Sequence, residues 1–356
     1  MHRIEFPVEG PFQSGTVMRA ESPLAEVWNL VEGVGVQSDE DCLASTSGMS
    51  VGGDQIYWRA RIHQSLQFRA ASRGLPLLTR PLPLYYSLLN LTRAVIFRRA
   101  YDRGNIQCGG AITTSSLAES LAGHGLTCGK RQSKRFLSQA IRTQKNGTYV
   151  VLCRELGLPV AEELSLEECI SNIPEMLCGF WTNKAVRAVP VDFRAFLSGE
   201  ERILRIIFRP GMVSEAEFER TWQSDFPSLA ACCSFERPGV LRVNFDRRNV
   251  PSRELAQCSR YFCSEYLVPS LHWGANEPWF VLKGIEAPVI YSRLPWYLAG
   301  LFALSSFVRY QPELILAEHD TETGWVIGRF LDRAERYFPQ EMLSWLWGIN
   351  IFVEPH

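Results

Sequence analysis

Two short segments of the chain combine a histidine with several cations and could act on an anionic substrate. Residues 124–131 read His-Gly-Leu-Thr-Cys-Gly-Lys-Arg, and residues 144–147 read Gln-Lys-Asn-Gly. A histidine can serve as a general acid or base near neutral pH, which makes His124 the candidate catalytic residue. Arg93 and Arg309 could then stabilise the negative charge that develops on a phosphoryl group.

Charge is distributed unevenly along the chain. Residues 80–154 contain twelve lysines and arginines against two acidic residues, a local charge of +10, whereas the whole protein has a formal net charge of −1. Such an asymmetry indicates an anionic partner for the basic segment, namely nucleic acid, a nucleotide or an acidic protein surface. The candidate anion-binding residues are Arg93, Lys130, Arg131, Arg135, Arg142, Lys145 and Arg309.

The segment 81–99 is predicted to form a helix that is apolar nearly all round, which is typical of a helix inside a core. Its polar residues Tyr86, Asn90 and Arg93 have helical spacing and therefore share one face. They form either a buried hydrogen-bond network or the lining of a pocket, because an unpaired buried polar group costs about 1–3 kcal/mol. Both interpretations stay open. The candidate pocket residues are Tyr86, Asn90, Gln144 and Asn146.

A second helix is predicted over residues 130–142, after a loop of small residues at 104–123. On a helical wheel its apolar residues form one stripe, and Arg131, Arg135 and Arg142 fall within about 60° on the opposite side. No acidic residue is interspersed, which favours a binding face, with a solvated face as the alternative. Asn146-Gly147 is expected to supply the left-handed turn that ends the helix.

The composition, 46% hydrophobic and 21% charged residues, is that of a globular protein. Helical patterns flank a middle third of short β-branched and aromatic segments, so the predicted fold class is α+β, predominantly helical with an inserted, small, mostly antiparallel sheet subdomain. Four regions are expected: an irregular segment at 1–53, a helical core at 54–180, a mixed α/β subdomain at 181–293, and C-terminal helices at 294–356 that pack back on the helical core.

Metal, cofactor and membrane functions receive no support from the sequence. Cys258, Cys263 and His272 match no standard zinc spacing, and no glycine-rich phosphate loop is present, so neither a metal nor a cofactor is predicted. The most apolar run, residues 296–308, is shorter than the roughly 20 residues of a membrane span. Without an apolar leader, a cytoplasmic location is expected. Basic surroundings would favour a thiolate at Cys128.

Several short motifs, in a fixed order, resemble the bacterial YaaC-like family. Residues 80–86 and 90–94 resemble its R-P-L-L-L-Y-Y and L-x-K-A helix, although Arg93 stands where the family usually has lysine. Residues 124–131 and 144–147 are similar to its H-G-[LV]-x-x-[RK]-K-R and Q-K-N-G segments, and 304–310 resembles L-S-M-x-x-R-Y. The resemblance implies a bacterial, cytosolic protein without a settled activity. It also implies family features at His124, Lys130, Arg131, Gln144, Lys145, Asn146 and Arg309.

Three functions remain open, and whether the protein is an enzyme stays undecided. The first is a non-catalytic binding or scaffold role through a basic surface. The second is a nucleic-acid- or nucleotide-binding effector, nuclease-like and of a phage-defence type, with Tyr85 or Tyr86 stacking a base; the R-x4-H of HEPN ribonucleases is absent. The third is an enzyme acting on an acidic small molecule. No oligomeric state follows from the residues.

Overall fold

The computed structural model describes residues 15–36, 53–102, 114–128, 136–176, 188–198, 201–208, 215–230, 232–244, 267–269, 271, 279–284 and 291–355. The architecture is α+β and helix-dominated with small antiparallel sheets, which confirms the predicted fold class. The chain divides into two compact units. The first comprises Met1–Val17 and Ser171–Tyr291, and the second comprises Met18–Ile170 and Ser292–His356.

The regular elements are numbered here in chain order. The described helices are α1 (Pro23–Val36), α2 (Gly53–Ser72), α3 (Pro81–Asp102), α4 (Thr114–Ala122), α5 (Thr148–Glu155), α6 (Leu166–Ser171), α7 (Glu215–Asp225), α8 (Pro227–Ala230), α9 (Leu294–Tyr310), α10 (Pro312–Glu318) and α11 (Glu322–Trp347). The described strands are β1 (Gly15–Ala20), β2 (Leu126–Cys128), β3 (Ala140–Thr143), β4 (Glu163–Ser165), β5 (Ala188–Ser198), β6 (Glu201–Phe208), β7 (Cys233–Arg237), β8 (Val240–Val243), β9 (Val268–Pro269), β10 (Trp279–Leu282) and β11 (Asn350–Pro355).

Helix α3 lies at the centre of the second unit. It packs against α2, α9, α11 and α5, so it has neighbours on several sides. Its sequence explains this position: proline opens the helix, where a missing N–H costs nothing, and apolar side chains follow all round. The predicted central helix is confirmed, and its Ser87, Asn90, Thr92 and Arg93 are buried together with most of its leucines.

The predicted C-terminal helices are also present. Helix α9 is buried along almost its whole length. Gly300 lets α11 approach it closely, because a Cβ there would lie 2.6 Å from Cζ of Phe330. Helix α11 begins at a capping residue, Thr321, whose side chain accepts from the N–H of Gly324, and it ends at Gly348 in the left-handed conformation. No helix in the described parts of the chain is long and apolar enough to cross a membrane.

The helix predicted over residues 130–142 is wrong in its described part. Residues Phe136–Ser138 form one turn of 3₁₀ helix, and β3 follows, paired antiparallel with β2 on one side and β4 on the other. Within β3 the side chain of Ile141 is buried and that of Arg142 is exposed, which is the alternation of a strand. The short apolar run fits both periodicities, and the sheet partners decide between them.

The loop predicted at residues 104–123 is wrong in its second half, where α4 is found. Leu117 and Leu121 stand four residues apart in α4, and Leu121 is fully buried. Such spacing places both leucines on one helix face, so small neighbours do not prevent a helix here.

The first unit contains the inserted sheet. Its strand order is β7-β8-β6-β5-β10-β9, and every described pairing within it is antiparallel. Strand β6 buries Leu204, Ile206 and Phe208 and leaves the intervening residues more exposed. Helices α7 and α8 and the residue between them complete this core with Phe218, Trp222, Phe226 and Leu229. The Cys258, Cys263 and His272 set lies outside the described residues.

Candidate anion-binding site

The polar face of α3 meets α2 through a ladder of hydrogen bonds. Ser65 of α2 and Ser87 of α3 are small enough to let the two helices approach, and the Ser87 hydroxyl donates to the Ser65 carbonyl at 2.8 Å. One step further along, Nη1 of Arg61 donates to Oδ1 of Asn90 at 3.2 Å. Asn90 in turn donates to the carbonyl of Tyr86 at 2.8 Å. Asn90 therefore holds an arginine of α2 against the buried face of α3.

Arg93 fastens α3 to the segment that precedes β2. Its Nε donates to Oγ1 of Thr148 at 3.1 Å, and its Nη2 donates to the carbonyl of Ala122 at 2.8 Å. Burial lowers the pKa of Arg93, and the nearby charge of Arg61 lowers it further. The guanidinium is thus a buried cation whose described partners are neutral oxygens. Its Nη1 has no hydrogen-bond partner among the described residues.

His124 stands beside this arginine and is oriented by a buried tyrosine. The Tyr85 hydroxyl lies 2.8 Å from Nδ1 of His124. Tyr85 is completely buried, and burial raises the pKa of its phenol, so the hydroxyl keeps its proton. Burial, followed by the charges of Arg93 and Arg309, lowers the pKa of His124 below its ordinary value. The imidazole is therefore neutral at pH 7.

Two glycines fix the backbone on which His124 sits. Gly125 and Gly147 both have positive φ, +81° and +126°, and their backbones lie against each other. A Cβ on Gly147 would overlap the backbone of Gly125 and stand 2.9 Å from the carbonyl carbon of His124. The amides of Thr148 and Tyr149 donate to the carbonyls of Gly123 and His124 at 2.9 and 3.1 Å. The His-Gly and Asn-Gly motifs are therefore two halves of one backbone junction.

Arg309 reaches the same place from α9. Its Nη1 lies 3.5 Å from the Tyr86 hydroxyl, and its Nε donates to the carbonyl of Ser305 at 3.3 Å. Tyr86 is stacked on Phe68, with 5.4 Å between ring centroids. The His124 ring itself contacts the rings of Tyr85, Tyr86 and Phe302.

We use the term cationic cluster for Arg61, Arg93, His124 and Arg309. Among the described residues, no carboxylate lies within ion-pairing distance of these side chains. Arg93 of α3 and Arg309 of α9 therefore flank a half-buried histidine, and Arg61 of α2 stands beside Arg93, without an internal counter-charge among the described residues. Such a place favours an anion from outside, because burial and the like charges that lie close together there lower the pKa values of Arg93 and His124.

The remaining residues predicted for the site fall into two groups. Lys130, Arg131 and Arg135 lie outside the described residues. The others stand in or after β3. Arg142 forms an exposed ion pair with Glu163 at 2.9 Å. Glu163 thus supplies a counter-charge that the helical wheel of residues 130–142 did not include. Gln144, Lys145 and Asn146 are exposed in the turn that leads to α5, with no described side-chain contact to the cationic cluster. The turn joins a strand to a helix rather than ending one.

Sequence reasoning missed Arg61, the bond between Tyr85 and His124, and the role of Thr148. Nothing in the sequence of α2 distinguishes Arg61 from its other arginines, because only the register of two antiparallel helices brings it to Asn90. The expected thiolate at Cys128 is wrong: burial raises the pKa of Cys128 to about 11. In the described residues, no group of histidines, cysteines and carboxylates has the arrangement of a metal site.

A family model described as YaaC-like protein matches residues 55–346. The chain belongs to the YaaC-like family. The match extends from the first turn of α2 to the last turn of α11, so it includes every residue of the cationic cluster. The resemblance stated from the motifs is thereby confirmed. No curated protein and no solved structure matches the chain.

Proposed function

We propose that this YaaC-like protein binds a small anionic group, a phosphate or a carboxylate, at the cationic cluster. The observation that carries the proposal is that Arg93 and Arg309 flank His124 and Arg61 stands beside Arg93, without a carboxylate among the described residues. Arg93 is buried, whereas Arg61 and Arg309 are partly buried. An uncompensated buried cation is costly, and an external anion removes that cost when it binds.

The cluster has donors left for a ligand. Nη1 of Arg93 and Nε2 of His124 have no hydrogen-bond partners among the described residues. If the Tyr85 hydroxyl donates to Nδ1, the remaining proton of the neutral imidazole stands on Nε2, which becomes a further donor. Planar guanidinium groups suit the oxygens of phosphates and carboxylates, since they can donate two parallel hydrogen bonds.

The proposal narrows the basic surface expected from the sequence. Arg80, Arg98 and Arg142 all form ion pairs with carboxylates, so they offer little net charge to a partner. Arg93 and Arg309 form no such ion pair among the described residues, so their charges remain available to a ligand. A compact site of a few cations therefore fits the described residues better than an extended basic wall that would bind a protein or a long nucleic acid.

Calorimetric titration with pyrophosphate and with sulfate tests the proposal. We expect saturable binding to the wild type that weakens as salt is added, because part of the attraction is screened. Arg309→Gln should lower the affinity by about tenfold to a hundredfold, the effect of losing a hydrogen bond to a charged group. The matched control is Arg154→Gln, which removes the same charge from an exposed position of α5.

Equal affinities of the two variants for pyrophosphate would show that only net charge matters and would overturn the site. Absence of binding to the wild type at low salt would do the same. Circular dichroism of each variant establishes that it is folded. A loss of binding confined to Arg309→Gln supports the cationic cluster.

A second candidate function is hydrolysis of a phosphate ester with His124 as general base. The hydrogen bond between Tyr85 and a neutral imidazole beside two arginines favours it. Here Nδ1–H would donate to the tyrosine oxygen, so the opposite tautomer would leave Nε2 free to take a proton from water. With p-nitrophenyl phosphate, water attacks phosphorus, the proton passes to Nε2, and p-nitrophenolate leaves.

Release of p-nitrophenolate by the wild type but not by His124→Gln, with phosphate binding retained in both, would support this second candidate. Phosphate binding without any such release from the wild type would remove it and would leave the binding function in place.

A further inference from the structure

An exposed aromatic ring adjoins the cationic cluster. Tyr310, the last residue of α9, is 72% exposed, more than any other large apolar or aromatic side chain among the described residues. The guanidinium carbon of Arg309 lies 5.0 Å from the centre of this ring. Because Arg309 also reaches Tyr86, it connects the exposed ring to the interior of the cluster.

This aromatic surface differs from those expected from the sequence. Tyr85 is completely buried, and Tyr86 is half-buried against Phe68, so Tyr85 cannot stack with a ligand and Tyr86 has a neighbour on its ring already. Tyr310 has Arg309 near its ring and remains open to solvent. An exposed ring beside a cation is a platform on which a planar heterocycle can stack.

The pairing of the surrounding arginines limits the size of the ligand. A nucleic-acid chain needs a row of cations that follows its phosphates. In the described residues, Arg80, Arg98 and Arg142 are instead paired with Asp332, Asp102 and Glu163. Arg61, Arg93 and Arg309 have no such carboxylate among the described residues, and a group of this size matches one or two phosphate groups.

We infer that the ligand is a nucleoside mono- or diphosphate, with its phosphates at the cationic cluster and its base on Tyr310. The inference rests on the proposed anion binding and adds the class of the ligand. The three guanidinium charges of Arg61, Arg93 and Arg309 balance the charge of a diphosphate. The base needs no specific hydrogen bond, because every base offers an aromatic face.

Calorimetry with ADP and with pyrophosphate tests the inference. ADP should bind the wild type more tightly than pyrophosphate does. Tyr310→Ala should weaken ADP binding by on the order of fivefold to a hundredfold, the effect of losing one stacked base, and should leave the affinity for pyrophosphate unchanged. Tyr310→Phe should retain ADP binding. Leu316→Ala is the control, since it shortens another exposed apolar side chain near the end of the next helix.

The outcomes separate this inference from the proposed function. Suppose that Tyr310→Ala binds ADP as tightly as the wild type does, whereas Arg309→Gln no longer binds pyrophosphate. The proposed anion site is then supported, and the inference of a nucleotide stacked on Tyr310 is wrong. If neither ADP nor pyrophosphate binds the wild type, both proposals fail. An oligoadenylate whose affinity exceeds that of ADP and grows with its length would overturn the restriction to a mononucleotide. Tyr310 is exposed, so its variants should fold.

Discussion

The two ends of the α2–α3 pair carry arginines in opposite electrostatic settings. At one end Arg69 and Arg80 meet the buried carboxylate of Glu335 at 3.3 and 2.9 Å, and Arg80 also meets Asp332 at 2.7 Å. We call these four residues the paired cluster. At the other end the arginines of the cationic cluster meet neutral oxygens and aromatic rings.

The pKa values of Arg80 and Arg93 reflect this difference, whereas burial and the charge of Arg73 lower the pKa of Arg69 despite its ion pair with Glu335. Burial by itself lowers the pKa of Arg80, but its hydrogen bonds and ion pairs with Asp332 and Glu335 outweigh burial, so the pKa is raised. For Arg93, burial and the charge of Arg61 act in the same direction and lower the pKa. The charges of the paired cluster are thus compensated by carboxylates of the chain itself. Those of the cationic cluster are compensated only when an external anion binds.

The largest effect is expected at the backbone junction of Gly125 and Gly147. This junction positions His124, whereas ion pairs position the residues of the paired cluster. Gly147→Ala should lower the free energy of unfolding by about 4 kcal/mol, from backbone strain of about 1–3 kcal/mol and overlap with Gly125 of about 1–3 kcal/mol. Urea unfolding measures it. Gly157→Ala is the control: its φ is also positive, +70°, but a Cβ there meets nothing, so only about 1 kcal/mol is expected. Similar losses would refute the close junction.

The next effect concerns the paired cluster. Glu335→Gln should cost about 3 kcal/mol of unfolding free energy, because it leaves two partly buried arginines without their shared carboxylate. Asp332→Asn should cost about 1 kcal/mol or less, since that carboxylate is 56% exposed. Pyrophosphate binding should be unchanged in both folded variants. A loss of binding on Asp332→Asn would contradict the independence of the two clusters.

A carboxylate placed inside the cationic cluster should convert it into a second paired cluster. Asn90→Asp puts a charged acceptor where Oδ1 already receives a hydrogen bond from Arg61. We expect a gain of about 1 kcal/mol in unfolding free energy without ligand, because a charged acceptor strengthens the bond, and a loss of pyrophosphate binding. Asn146→Asp, which adds the same charge in an exposed turn, should do neither. Unimpaired binding to Asn90→Asp would contradict the account.

The smallest effect is a pH dependence that arises from His124. Its lowered pKa means that the unfolded chain takes up the proton more readily, so His124 favours folding above pH 6.5 and this contribution is lost as the pH falls through the lowered value. Bound sulfate, which keeps its charge over this range, favours the protonated imidazole. The affinity for sulfate should therefore rise as the pH falls. The rise should be up to about tenfold for each unit by which the bound anion raises the pKa of His124. His124→Gln should abolish that rise in sulfate affinity. If the rise persisted in His124→Gln, a titratable group other than His124 would be responsible for it.

Much of this fold could be predicted from local patterns. The all-round apolar character of residues 81–99 predicted the central helix, and the spacing of Tyr86, Asn90 and Arg93 placed them on one face. The strand of Ala140–Thr143 could not be predicted, because its four residues suit a helix equally and only pairing with β2 and β4 distinguishes them. The long apolar pattern of residues 81–99 agreed with the structure, whereas the helical-wheel pattern of residues 130–142 did not.

The candidate site was predictable only in part. Shared spacing and family motifs pointed to Arg93, His124 and Arg309, which the structure brings together around Tyr85 and Tyr86. The ion pair of Arg142 with Glu163 joins two strands that are distant in sequence, so charge counting along the chain overestimated the basic surface. Conversely, Arg61 could not be identified from the sequence, because only the register between α2 and α3 brings it to Asn90. Net charge in a segment indicates a partner poorly when the counter-charges come from elsewhere in the fold.

The measurement that tests the central claim most directly is ¹⁵N NMR of the histidine ring nitrogens during titration with pyrophosphate, with the signals of His124 assigned by comparison with His124→Gln. We predict a saturable shift of the His124 resonances, a protonated Nε2 in the complex, and unchanged amide signals around Glu335. Resonances of His124 that stay constant while pyrophosphate binds, or shifts centred on the paired cluster, would contradict the account.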